Sequence, residues 1–326
     1  MALSDERKQK RVSLILSGAG GLLLVVWLVA ALTPALRGML DFGASFLLNF
    51  VVTAALWWAV RQSASEAKSF WRWLALGWGL NVVGNLAWAA YDFVVGESLA
   101  ILSWIDGFYI ARYILVFVAF WRYPRRALRA QWTSYVILLA SATSLVWLAL
   151  FRPVMATLPQ PLLYFFGGAL YPIMDVALVY AALLTWAYVA DARMRTAARW
   201  LTLAMGAYGV ANWINFGARS ASLDAASFAA GLFWLLADVG TGTAALYAVR
   251  RPTAPAPMTP LASPSTSTLA WLTLLAAVPA VGLALVDWIV RSAVDGMLLT
   301  CAALALVAIG YHWLFFRRMD HNEDEP

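Results

Sequence analysis

"SWIDGFYIARYI", residues 103–114, sets an aspartate (Asp106) and an arginine (Arg112) six positions apart in a run that is otherwise apolar and aromatic. No further charge appears before Arg122, so the segment has the length and composition of a membrane-spanning helix. A charged side chain in hydrocarbon costs about 2.5–3.5 kcal/mol even on the mildest insertion scale. Six residues correspond to about 240° around a helix, so Asp106 and Arg112 cannot face each other. Each needs a partner elsewhere, and the rest of the chain must supply it.

That rest is built the same way. Of 326 residues, 63% are hydrophobic and only 12% charged, and the mean hydropathy is +0.74. An ordinary soluble domain does not have this composition. About ten runs reach the length of a span: 12–33, 39–60, 73–95, 99–121, 132–151, 161–189, 200–217, 226–249, 268–290 and 295–316. The expected fold is therefore an all-α integral membrane protein of about ten transmembrane helices. The first run is too long for a signal-peptide core and is read as a retained helix.

The net charge of +6 orients the chain; nucleic acid is not an expected partner. Arg7, Lys8, Lys10 and Arg11 precede the first span, and Arg61, Lys68 and Arg72 follow the second. Arg122, Arg125, Arg126 and Arg129 follow the fourth, Arg193, Arg195 and Arg199 the sixth, Arg250 and Arg251 the eighth, Arg317 and Arg318 the tenth. The alternate loops hold only Arg37, Arg152, Arg219 and Arg291. Basic residues in every second loop are the positive-inside signature, which puts both ends of the chain in the cytoplasm. The lipid bilayer is the first expected partner.

Proline punctuates "RRPTAPAPMTPLASPSTS", residues 250–267, too densely for a helix. The expected division is an eight-helix membrane body (1–249), a Pro-rich cytoplasmic linker (250–267), a C-terminal transmembrane hairpin (268–316) and an acidic, disordered tail (317–326). Within the body, "RWLALGWGLNVVGN" from Arg72 aligns with "RWLTLAMGAYGVAN" from Arg199, bringing Asn85 onto Asn212. Spans three-four, five-six and seven-eight then resemble parallel two-helix repeats. Each has an aspartate in its second helix: Asp106, Asp175 and Asp238.

Those aspartates and Arg112 are the candidate site. At 1.5 Å per residue, Asp106 lies about 10 Å from the outer end of its span, and Arg112, Asp175 and Asp238 about 18–20 Å. Arg112 keeps its charge at any accessible pH, so either Asp175 or Asp238 is expected as its direct partner. A carboxylate left over at that depth must carry a proton or face water or a ligand. Two readings compete: a pocket opening outward, or ion-pair clamps that fix helix register. Asn81, Asn85, Asn212 and Asn215 offer amides to the same cavity, or to bonds between helices. Tyr171 stands four residues before Asp175 in "YPIMD", where Pro172 is expected to kink the helix. Trp88, Trp104, Trp213 and Trp234 lie far enough inside spans to meet an apolar ligand or simply to pack. Most other tryptophans stand near span ends, as interfacial anchors do; Asp287 lies close enough to an outer end to reach water.

Several chemistries find no footing. No lysine falls within a span, which removes a retinal Schiff base. The single cysteine, Cys301, allows neither an intrachain disulfide nor c-type haem attachment. His312 and His321 cannot supply bis-histidine haem or a three-histidine zinc site. "SGAGG" in the first span follows no strand and is not a phosphate loop. No nucleophile–base pair is visible, so an enzyme is the most distant reading.

"SWIDGFYIARYILVF", "YPIMDVALVYAALL" and "FWLLADVGTGTAALYAV" resemble the recurrent Ser-x-x-Asp-x-x-Tyr, Tyr-Pro-x-x-Asp and Trp-x-x-x-Asp patterns of the multi-helix membrane modules at the N-termini of bacterial GGDEF diguanylate cyclases. The resemblance covers roughly residues 70–250. It implies a module that senses a membrane-borne or external cue and signals to a cytoplasmic output domain or partner. The sequence departs from the pattern in that no GGDEF, EAL or kinase domain follows the last span. The expected function is thus sensory or ligand-binding, with a small hydrophobic or amphipathic ligand. The alternative is a small-molecule or lipid transporter built from the repeated helix pairs.

Overall fold

The computed structural model describes residues 33–63, 65–95, 103–123, 132–148, 170–189, 191–220, 224–249, 266–291 and 295–323, with Val25, Val29 and Arg152. Among them there are nine helices and no strand. They are α1 (Pro34–Gln62), α2 (Ser65–Val95), α3 (Asp106–Arg122), α4 (Trp132–Val146) and α5 (Leu170–Tyr188). Then follow α6 (Ala192–Ser220), α7 (Asp224–Ala248), α8 (Thr266–Arg291) and α9 (Gly296–Glu323). The expected first span and most of the Pro-rich linker lie outside the described residues.

Local chemistry sets the helix starts. Pro34 opens α1, where its fixed φ suits the first turn and its missing N–H goes unused. Asp191 caps α6, accepting the N–H groups of Arg193 at 2.8 Å and Met194 at 2.9 Å. Asp295 caps α9 in the same manner through Met297, at 2.9 Å. Helix α9 continues past the basic pair Arg317–Arg318 as far as Glu323, and neither glycine nor proline stands between residues 311 and 323.

Six helices close a ring. α1 packs on α2, α2 on α3, α3 on α5, α5 on α6, α6 on α7, and α7 back on α1. Close contacts depend on residues without bulk: a Cβ at Gly77 would come within 3.1 Å of Val116 on α3, and one at Gly240 within 3.1 Å of Ala204 on α6. The helix pair α2–α3 and the pair α6–α7 occupy neighbouring ring positions, but α4 does not pair with α5 inside the ring. Instead α4 packs on α8 and α9, which pack on each other, and the three flank the ring through α5. The C-terminal hairpin is therefore not a separate unit in contact terms: Ile137 and Ala140 of α4 share a core with Ala277, Ala280 and Ala305. A clasp secures this flank, with Arg152 bonded to Asp287 at 2.9 Å and the Asp295 N–H to the other oxygen at 3.0 Å. Asp287, expected to reach water, is only 7% exposed for this reason.

The distribution of polarity is inverted relative to a water-soluble bundle. Leu47, Phe50, Ile114, Leu203, Ile289 and Val307 are all more than half exposed, while Asn49, Asn81, Arg112, Asp175 and Asp238 are buried. Two helical stretches, Leu170–Ala187 and Ala229–Ala248, are long and apolar enough to cross a membrane.

Candidate functional site

The interior of the ring divides into two halves along its axis. Toward the end that holds the α1–α2 turn, it is packed with apolar side chains such as Leu56, Leu74, Phe120, Leu178 and Leu201. Phe70 sits edge-on to Trp71 at 5.1 Å and to Phe120 at 5.5 Å in this half. The other half holds every buried charge of the ring.

Arg112 lies at the centre, 3% exposed. It does not have the direct carboxylate partner expected of it: among the described residues it forms no ion pair, and its one hydrogen bond goes from Nη1 to Asn81 Oδ1 at 3.0 Å. Its guanidinium stacks on Tyr208, 4.0 Å from the ring centroid, with Trp78 at 5.0 Å and Tyr113 at 5.1 Å. Nε and Nη2 are buried without a hydrogen-bond partner; aromatic faces do for them what a carboxylate would do elsewhere.

The link from Arg112 to Asp238 runs through two amides. Asn81 Nδ2 donates to Asn49 Oδ1, and Asn49 Nδ2 donates to Asp238 Oδ2 at 2.8 Å. A guanidinium can only donate and an ionised carboxylate can only accept. The two amides between them are therefore held in one orientation, each passing the same polarity along. Asp238 receives two further donors on its other oxygen, Trp78 Nε1 at 3.1 Å and Tyr208 OH at 3.2 Å. Four helices (α1, α2, α6 and α7) converge on this one carboxylate, with α3 joined through Arg112.

Asp175 sits on the opposite side of Arg112 in a separate group. Tyr113 OH donates to Oδ1 at 2.7 Å, and Asn212 Nδ2 to Oδ2 at 2.6 Å. Trp234 Nε1 donates to Asn212 Oδ1 at 3.1 Å, which fixes that amide as well. Arg112 is electrostatically coupled to both aspartates and touches neither. The ring interior thus holds two carboxylates around one cation.

Asp106 stands apart, and its role differs from the one expected. α3 begins at Asp106, whose Oδ2 accepts the backbone N–H of Ser103 at 2.7 Å and the Ser103 hydroxyl at 3.1 Å. The carboxylate folds back on the turn that precedes α3, an acidic group at the positive end of the helix. Tyr171 OH donates to its Oδ1 at 2.7 Å, tying α5 to the start of α3. Asn85 accepts from Tyr109 OH at 2.8 Å in the same outer layer. Trp104 does not reach the cluster: it is 63% exposed, beside Phe108. The carbonyls that Pro172 would displace belong to residues before 170, outside the described residues.

Sequence reasoning therefore found the charges, Asn85, Asn212, Tyr171 and Trp234, but not Asn49, Trp78, Tyr113 or Tyr208. Helical spacing carried the missing signal: Tyr208 and Asn212 are four apart, as are Asn81 and Asn85, and each pair shares a face. Among the described residues no cluster of His, Cys, Asp and Glu could hold a metal ion. Comparisons with protein-family models, with characterised proteins and with solved structures return no match, so the likeness to cyclase-associated modules rests on the three aspartate motifs.

Proposed function

We propose that the chain is a multi-pass protein of a bacterial cytoplasmic membrane, with about ten spans and both ends cytoplasmic, and that it works as a sensory, ligand-binding module. The alternation of basic loops supports the topology, and apolar outward faces around a charged interior support residence in lipid. The three aspartate motifs support a signalling role, passed to a cytoplasmic partner or output domain. One observation carries the reading: the buried charges of the ring lie in the half away from the α1–α2 turn, and apolar side chains such as Leu56, Leu74 and Phe120 fill the other half. A transport route needs polar groups toward both faces in turn, whereas a receptor needs one opening.

Topology is tested by cysteine labelling: a cysteine at Ser222 should react with an impermeant reagent from outside, and reaction from the cytoplasmic face would reverse the assignment. Function is tested by native mass spectrometry of the purified protein. The parent should retain a small molecule that Asp175→Asn and Asp238→Asn lose. Identical retention in all three would remove the ring interior as the site.

A further inference from the structure

Asp175 has a second face. Beyond the ring, between α5 and α6 and under α4, lies a cleft of about 410 Å³, at the lower end of the range of small-molecule sites. Val176, Val179 and Leu183 of α5, Val210 and Ile214 of α6, and Leu138 of α4 form its walls. Leu183 and Val210 are 38% and 43% exposed, so the cleft opens on the apolar outer surface of the bundle. Asp175 is its one charged lining residue among those described.

Two glycines shape it. A Cβ at Gly209 would sit 3.3 Å from the Asp175 Cβ, so glycine there lets the α6 backbone pass close to the carboxylate. A Cβ at Gly206 would meet nothing within 4 Å, because the space beside it is the cleft itself.

The charges indicate what fits. Asp238 is enclosed by three donors, while Asp175 has two, both from side chains of the ring. Among the described residues Arg112 is the single buried cation of the ring, and it bonds neither aspartate. Among these residues the ring interior thus sets two carboxylates against one cation, and Asp175, itself 2% exposed, is the one whose side chain lines the cleft. We infer that the α5–α6 cleft binds a lipophilic amine from the bilayer, its apolar body against the valine and leucine walls and its ammonium group against Asp175. Binding there pulls on the carboxylate that Tyr113 and Asn212 hold, which places the ligand one hydrogen bond from α3 and two from α7. The inference deepens the proposed sensory function and rests on it.

The full chain, in nanodiscs of zwitterionic lipid, is melted with adamantylamine, adamantanol or adamantane carboxylate, compact probes of one shape with different head groups. The amine should raise the melting temperature at concentrations about tenfold below the alcohol, the difference between a charge-assisted and a neutral hydrogen bond. The carboxylate should have no effect. Gly206→Leu, whose side chain enters open space, should fold and abolish the amine shift; Val210→Trp at the mouth is the second blocking variant. Asp175→Asn should erase the preference for amine over alcohol. Equal shifts from amine and carboxylate, an amine shift that survives both blocking variants, or no shift from any probe each overturn the inference. The two readings fail separately: a co-purified molecule lost in Asp238→Asn, with no amine shift, removes the cleft and spares the sensory ring.

Discussion

Replacing Asp238 by asparagine changes almost no volume, yet the arrangement around it permits no good solution. In the parent, Oδ2 accepts from Asn49 and Oδ1 from Trp78 and Tyr208. An amide keeps one acceptor and turns the other position into a donor. If its oxygen faces Trp78 and Tyr208, its NH₂ meets the NH₂ of Asn49. Flipping Asn49 passes the conflict to Asn81, and flipping Asn81 passes it to Arg112, which has no acceptor to offer. If the amide is reversed, the Tyr208 hydroxyl can rotate but the Trp78 N–H cannot. Every arrangement leaves two buried donors opposed, at about 1–3 kcal/mol each. Arg112 also loses one of its two countercharges. The expected loss is about 2–6 kcal/mol, toward the low end if the unfolded chain in lipid satisfies part of its polar groups. Equilibrium unfolding in mixed micelles with graded SDS measures it. The informative comparison adds Arg112→Met, which removes the fixed donor at the far end and frees both amides to flip. Although residues 112 and 238 form no hydrogen bond or ion pair with each other, the double variant should be less destabilised than the sum by about 1–3 kcal/mol. Additivity within about 0.5 kcal/mol would refute the polarised chain.

Other outcomes follow from single contacts. Gly84→Ala should cost about 1–3 kcal/mol, because its Cβ would come 2.9 Å from Tyr109, and the Tyr109–Asn85 bond should be lost; tyrosine fluorescence and melting together report it. Ser103→Ala and Tyr171→Phe should each cost about 0.5–1.5 kcal/mol as the loss of one hydrogen bond to Asp106, both read as shifts of the unfolding midpoint. The division expected from sequence, an eight-helix body ending at residue 249 before a linker and hairpin, implies that a chain ended at about residue 255 folds without the last two helices. The packing of α8 and α9 on α4 reverses that expectation: the shortened chain uncovers Ile137 and Ala140 and leaves Arg152 without Asp287, so it should aggregate in detergent, as size-exclusion chromatography would reveal.

Helices were legible because runs of apolar residues, broken by Pro, Gly and charge, are a one-dimensional signal. Their neighbours were not. Repeat spacing suggested that the fifth and sixth spans form a pair like those on either side, and nothing in "WTSYVILLASATSLV" contradicts it. What excludes α4 from the ring is the small-residue face it shares with α8 and α9, built from Ala140, Ala277, Ala280 and Ala305. Alanines are so common in this composition that their pairing partners cannot be read from order alone.

The site divides along the same line. Charges in apolar surroundings announce themselves, so Arg112, Asp175 and Asp238 could be named and even placed at a common depth. Depth alone then suggested a direct ion pair, since a cation and two anions at one level ought to meet. Depth omits azimuth, and it omits the neutral groups between. Asn49 and Asn81 lie between Arg112 and Asp238, and three aromatic faces cover what the amides leave. A direct pair would hold Arg112 to one helix; the amide chain divides its hold among α1, α2 and α7, while the aromatic faces add α6. Shifting any one of these helices must then lengthen a bond that ends on a single-signed group. An interior wired this way resists small displacements, and the carboxylate held by fewer donors, Asp175, is also the one whose side chain lines the cleft beyond the ring.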